Sequence, residues 1–222
     1  MGELTRLKWT ALAIATAAGA TALGCAGAAT AAKEQPEPVQ GTPLAAMASR
    51  PVLVLPVQYI AFSDSLSWKQ QLPLTAEFLA ALDDSIAASL GDRGLRNSWT
   101  FAPAITASAR RNMGMTADPH ALAAESLRRL VKAGDDPVSE PLASQIRSLV
   151  ALRDARYVVL PAILRFENRG AGARGSLLLY LIDTRTSRIH WSGEVASGVS
   201  RSFSAAIAGS LAERLADLVV AR

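Results

Sequence analysis

Only one cysteine, Cys25, and two histidines, His120 and His190, occur among the 222 residues. A lone cysteine excludes an internal disulfide and any CxxC redox or zinc motif. A zinc site built on the two histidines would need carboxylates as its remaining ligands, and neither histidine belongs to a ligand-spacing motif. Glycine-rich phosphate loops, GxSxG elbows and HExxH helices are missing as well, so the sequence leads us to expect no metal, no cofactor and no catalytic set. Charge of one sign is in short supply too. The formal net charge is +4, and removing an amino-terminal signal with Glu3, Arg6 and Lys8 leaves 21 basic against 18 acidic residues, too small an excess to imply a nucleic-acid partner. Half of the residues are hydrophobic and 19% are charged, the ordinary balance of a chain that buries one core.

Long apolar runs are confined to the amino terminus. Arg6 and Lys8 precede a charge-free, alanine-rich stretch from Trp9 to Gly24 that ends in small residues before Cys25. This is the pattern of a secretion signal. It is shorter and less apolar than the roughly 20 residues a membrane-spanning helix needs. Two cleavage readings follow. Ala22-Leu23-Gly24-Cys25 resembles the lipobox of bacterial lipoproteins, with Gly24 before the cut and Cys25 carrying the lipid, although Leu23 stands where a small residue is usual. Ordinary cleavage at Ala26-Gly27-Ala28 would instead leave a soluble periplasmic protein. The only cysteine falls where lipidation requires one, which favours the first. Ala26 and Gly27 lack the acidic residue that favours inner-membrane retention in proteobacterial lipoproteins, so the resemblance implies the outer membrane. The expected organisation is a signal peptide over 1–24, lipidated Cys25 with a tether over 25–50, and a folded domain over 51–222. The tether, AGAATAAKEQPEPVQGTPLAAMASR, is too small and polar to build a core.

Within the domain, Val52–Leu55, closed by Pro56 and followed by Val57, Tyr59 and Ile60, reads as a strand. From Thr75, Leu79, Leu82, Ile86 and Leu90 recur at helical spacing, with Asp83 and Asp84 assigned to the other face and Gly91 and Gly94 as the stop. Trp99, Phe101 and Ile105 form a short strand interrupted by Pro103. Asp118-Pro119 opens a helix running to Gly134, and Ser139-Glu140-Pro141 opens another with Leu142, Ile146, Leu149 and Val150 as its stripe. Tyr157 to Phe166 is a strand in which Pro161 marks an edge or a bulge. Gly170, Gly172 and Gly175 punctuate a loop. Leu177 to Ile182 is a central strand, Asp183 to Ser187 a turn, and Ile189 to Val195 a last strand. Ile207, Leu211, Leu215 and Leu218 define a terminal helix capped at Ser204. The fold class is α/β, a single mixed-sheet α/β sandwich of order β-α-β-α-α-β-β-β-α.

Three segments resemble a superfamily of bacterial envelope proteins: Val52-Leu-Val-Leu-Pro56, Ala155-Arg-Tyr-Val-Val-Leu160, and the hairpin Leu181-Ile-Asp-Thr-Arg-Thr-Ser-Arg-Ile-His-Trp191. That superfamily includes the curli-secretion channel lipoprotein, the amino-terminal domain of the Tol propeller protein and the lipoprotein activators of penicillin-binding proteins. Ser187 departs from the glycine usual in the hairpin, and Val57 from the aromatic residue that often follows the proline. The resemblance implies binding and assembly, without catalytic residues to carry over.

The sequence nominates Arg165, Arg169, Arg174, Arg185 and Arg188, with Trp191, as candidate partner-binding residues; alternating strand faces would otherwise scatter the arginines through solvent. Asp183 reads as a turn-opening carboxylate and Trp191 as a residue half-buried against a helix. The expected function is a membrane-anchored, non-catalytic accessory lipoprotein with an envelope protein partner and an option of homo-oligomerisation. A subunit of an envelope secretion or transport assembly is the alternative. An exported hydrolase is a further one.

Overall fold

A computed structural model describes residues 41–63, 66–72, 74–129, 135–170 and 172–221. The chain divides into two compact units, residues 1–32 and 33–222, and every described residue lies in the second. The signal segment, Cys25 and the tether up to residue 40 lie outside the described residues. Among the described residues six strands form one mixed sheet: β1 (Val52–Val54), β2 (Tyr59–Phe62), β3 (Trp99–Thr100), β4 (Tyr157–Arg169), β5 (Gly172–Asp183) and β6 (Arg188–Ala196). Their order is β3-β1-β4-β5-β6, and β2 pairs with β4 further along the same edge that β1 uses. β1, β2 and β3 make parallel pairings; β4, β5 and β6 are antiparallel.

Pro161 decides the shape of β4. Having no amide hydrogen, it cannot extend the ladder, and the register with β5 shifts between Pro161 and Ile163. The bulge falls where the neighbouring chain passes from β1 to β2, with Leu55 N donating to Val159 O (3.0 Å) and Gln58 N to Pro161 O (3.1 Å). β4 is therefore a central strand with a bulge, the second of the two expected settings for that proline.

Among the described residues five α-helices cover the sheet: α1 (Trp68–Gln71), α2 (Thr75–Asp92), α3 (Ala102–Arg111), α4 (Leu142–Val150) and α5 (Ala206–Asp217). Long helices α2 and α5 pack together over one face, sealing Val52, Val54, Val159, Leu164, Leu177, Leu179 and Leu181 beneath them. At its centre Phe166 stacks on Phe62 (centroids 5.1 Å) and meets Trp68 (5.6 Å) and Phe203 (5.9 Å) edge-on. Such pairs add about 0.5–1.5 kcal/mol each beyond area burial. The second face carries α3, α4 and a 3₁₀ turn at Ala124–Arg129 over Leu53, Leu55, Val158, Leu160, Tyr180 and Ile182.

Several local expectations are corrected. Ile105 is not in a strand: β3 ends at Thr100 and Pro103 is the second residue of α3, where a missing amide hydrogen is harmless. The helix expected from Asp118 to Gly134 is a turn and the 3₁₀ segment, with residues 130–134 outside the described set. Its early amides are taken by tertiary partners, Leu122 N by Gln58 Oε1 (3.0 Å) and Ala123 N by Gln145 Oε1 (2.8 Å), in competition with the i−4 carbonyls. Gly172 and Gly175 belong to β5 and not to a loop. Gly175 is needed where it stands, since a Cβ there would lie 3.1 Å from the Phe166 ring and 3.2 Å from Ile207. Asp83 is on the buried face of α2, 5% exposed, not the solvent face. The folded part also starts ahead of Pro51, because Leu44 and Met47 are buried in the core and Leu44 N donates to Leu218 O (2.9 Å).

Candidate functional site

The carboxyl ends of parallel strands are the usual place for a ligand crevice in α/β sheets. Here β1 and β3 end against α2 and α3, and a cleft with lobes of about 290 and 350 Å³ runs along α3. Thr106, Arg110 and His120 line both lobes; Asp83 and Asp84 close one and Asp118 the other. The cleft is held together by two buried polar side chains. Gln58 donates from Nε2 to Pro56 O (2.7 Å) and Pro119 O (2.9 Å) while its Oε1 accepts from Leu122 N, so one amide fixes the end of β1 to the 119–122 turn. Asp83 Oδ1 accepts Val57 N (3.0 Å), and its buried Oδ2 has no partner. Burial pushes the Asp83 carboxyl up to about 7, against the lowering effect of the Val57 amide and reinforced by Asp84.

At the cleft mouth Thr106 Oγ1 and His120 Nε2 are 2.9 Å apart. Desolvation lowers the His120 pKa, outweighing the attraction of Asp118, so the ring is neutral at pH 7. The Asp118 carboxylate is engaged by the His120 backbone amide (2.9 Å). The arrangement therefore offers a hydroxyl and an imidazole that give and take hydrogen bonds, beside an acid that is easily protonated. A signal for the burial of Asp83, assigned above to the other face, is present in the sequence: it stands four residues after Leu79 and three before Ile86, on the very stripe that packs. Thr106 carried no signal, because the contact with His120 is made only when α3 and the turn meet.

The candidate arginines do not form one patch. Arg185 and Arg188 flank the β5–β6 turn; Arg165, Arg169 and Arg174 lie toward the β4–β5 turn, at the other end of a strand of 12 residues. Arg188 pairs with Asp135 (2.7 Å) and Arg169 with Glu167 (2.8 Å). Trp191 is half-buried against the α5 side, its ring lying over Gly193, where a Cβ would come within 2.3 Å of it. Asp183 opens its turn as expected: Oδ1 accepts Arg185 N (3.0 Å) and Oδ2 accepts the Arg156 guanidinium (2.6 Å). Burial alone would raise the Asp183 carboxyl, but these bonds hold it below the usual range. His190 lies beside Tyr157, apart from His120, and among the described residues no group of three or more His, Cys, Asp or Glu could hold a metal ion. No described helix is long and apolar enough to cross a membrane.

The fold is thus a mixed-sheet α/β sandwich with a cleft at the ends of its parallel strands. No protein-family model and no curated protein matches the chain. Solved structures similar to it include a dodecamer of PelC from Paraburkholderia phytofirmans, 16% identical over 83% of this chain and 96% of that one, with a TM-score of 0.37. The carboxy-terminal domain of LpoB from Salmonella enterica is 15% identical over 67% and 82%, with a TM-score of 0.32. Lipoprotein GNA1162 from Neisseria meningitidis is 18% identical over 67% and 79%, with a TM-score of 0.34. At such identity a fold can be held in common while the sites on it differ completely.

Proposed function

We propose that this chain is an accessory lipoprotein of the bacterial envelope, anchored through lipid on Cys25 at the periplasmic face of the outer membrane, whose α/β domain binds another envelope component without catalysing a reaction on it. The observation that carries this reading is the position of the only cysteine, directly after a basic start, a charge-free run and the small residue Gly24. The start of the core at Leu44 shortens the tether to residues 26–43. Fully extended it reaches roughly 55 Å, which keeps the domain close to the membrane that holds it.

Fractionation of cells expressing Cys25→Ala tests the anchor. The variant is expected to leave the membrane fraction for the soluble envelope fraction, or to accumulate as unprocessed precursor. An unchanged mature mass together with an unchanged membrane fraction would refute lipidation.

A further inference from the structure

On the second sheet face the cluster under α3, α4 and the 3₁₀ turn gives way to rows whose side chains are part-exposed or exposed, apart from buried Ile163 and Ser176. α3, α4 and the 3₁₀ turn cover it up to the row of Tyr180, whose hydroxyl donates to Leu127 O (2.6 Å). Beyond that row the strand register fixes which side chains stand together. Tyr59, Ile163, Leu178 and Glu194 make one row across β2, β4, β5 and β6; Ala61, Arg165, Ser176 and Ala196 make the next; Glu167 faces Arg174 in a third. Arg165 and Arg174 are thus diagonal neighbours on one face, within reach of the same ligand group. Neither has an ion pair among the described residues. Arg174 Nε is buried without a hydrogen-bond partner although Glu167 stands opposite, because Glu167 is taken by Arg169 (2.8 Å). Ser176, 1% exposed and next to both arginines, likewise has a buried hydroxyl with no partner. Buried donors are normally satisfied. Ser176 thus stands between two arginines, one opposite it on β4 and one two residues before it on β5, and it and Ile163 are buried while both arginines stay part-exposed.

We propose that this face is a docking surface for an acidic segment of a partner protein, with Arg165 and Arg174 receiving its carboxylates and Tyr59, Leu178 and the small residues Ala61 and Ala196 receiving apolar side chains between them. This deepens the accessory-lipoprotein reading and rests on it. Position favours a protein over the anchoring membrane. The chain enters the domain at the opposite end of the sheet, where Leu44 meets Leu218 and Val52 pairs with Tyr157. Arg165 lies eight residues further along β4, about 25 Å away at strand rise. Apolar and charged positions two residues apart along β4, Ile163 before Arg165 and Glu167, suit an extended peptide with alternating side chains better than a uniformly charged glycan.

The test uses the full-length lipidated protein in detergent micelles and a labelled peptide of glutamates interspersed with leucines. Vesicles of anionic phospholipid and polygalacturonate serve as rival probes. Salt-sensitive peptide binding is expected, weakened about tenfold for each of Arg165→Gln and Arg174→Gln. Arg185→Gln with Arg188→Gln, at the far end, should change it by less than about twofold, and every variant should keep the wild-type unfolding midpoint. The proposal is overturned if the double Arg165/Arg174 variant binds the peptide as wild type does. It is equally overturned if vesicles or the glycan depend on these arginines more strongly than the peptide, or if peptide binding requires a second copy of the chain. Cys25→Ala protein should bind the peptide unchanged, so loss of the anchor reading and loss of this one are read separately.

Discussion

The aromatic core under α2 and α5 and the polar cleft at the end of β1 are built on opposite terms. In the first, Phe62, Trp68, Phe78, Phe166 and Phe203 fill one volume, stacked, tilted and edge to face, among buried apolar side chains. In the second, a buried carboxyl keeps one oxygen unpartnered and a buried amide spends its hydrogen bonds on three backbone groups. An apolar core gains stability at any pH; a buried acid gives some of it back once it must ionise. The difference separates a region whose stability does not depend on pH from one whose stability does.

Three substitutions break or sharpen that contrast. Phe166→Ala, which empties the middle of the aromatic cluster, should cost about 3–5 kcal/mol in urea unfolding; a loss below about 1 kcal/mol would mean the cluster is not the keystone. Asp83→Asn should act in the other direction and depend on pH. The folded carboxyl titrates near 7 and the unfolded one at the model value of 3.8, so between those values the folded state holds a proton that the unfolded state has lost. Wild-type stability therefore falls as pH rises from about 4 to about 7, by at most roughly 4 kcal/mol. The Asn variant should lose that slope, matching wild type near pH 4 and exceeding it at pH 8. Unfolding curves at the two pH values decide it, and a slope that survives would clear Asp83. The smallest effect belongs to the β5–β6 turn, where Ser187 has a φ of +51°. Ser187→Gly should raise stability by about 0.5 kcal/mol, relief of the left-handed strain being partly offset by a freer unfolded chain. A thermal midpoint that drops would show that the Arg147 bond to Ser187 Oγ (3.0 Å) matters more than the strain.

Elements with a long, uninterrupted periodic pattern were legible. The stripe Ile207, Leu211, Leu215 and Leu218 gave α5, and the run Leu177–Ile182 gave a strand at the centre of the sheet. Ser187 was readable as a departure from the hairpin pattern, and its positive φ explains why glycine is usual there. Segments whose backbone bonds go to distant side chains were not legible. The 118–129 stretch has the cap, the proline and the leucines of a helix, yet Gln58 and Gln145 claim its amides from 64 and 22 residues away. Pro103 was read as an interruption because nothing local distinguishes a proline that breaks a strand from one that begins a helix.

By itself, then, the sequence determined the class of fold and the location of the core stripes, since both depend on periodicity along the chain. The tertiary structure alone decided that Asp83 is buried, that Thr106 meets His120, and that Arg165 and Arg174 share a face while Arg185 and Arg188 lie at the far end. Such juxtapositions follow from strand register and helix docking, and a register is set by pairings between residues far apart in sequence, which no local pattern encodes.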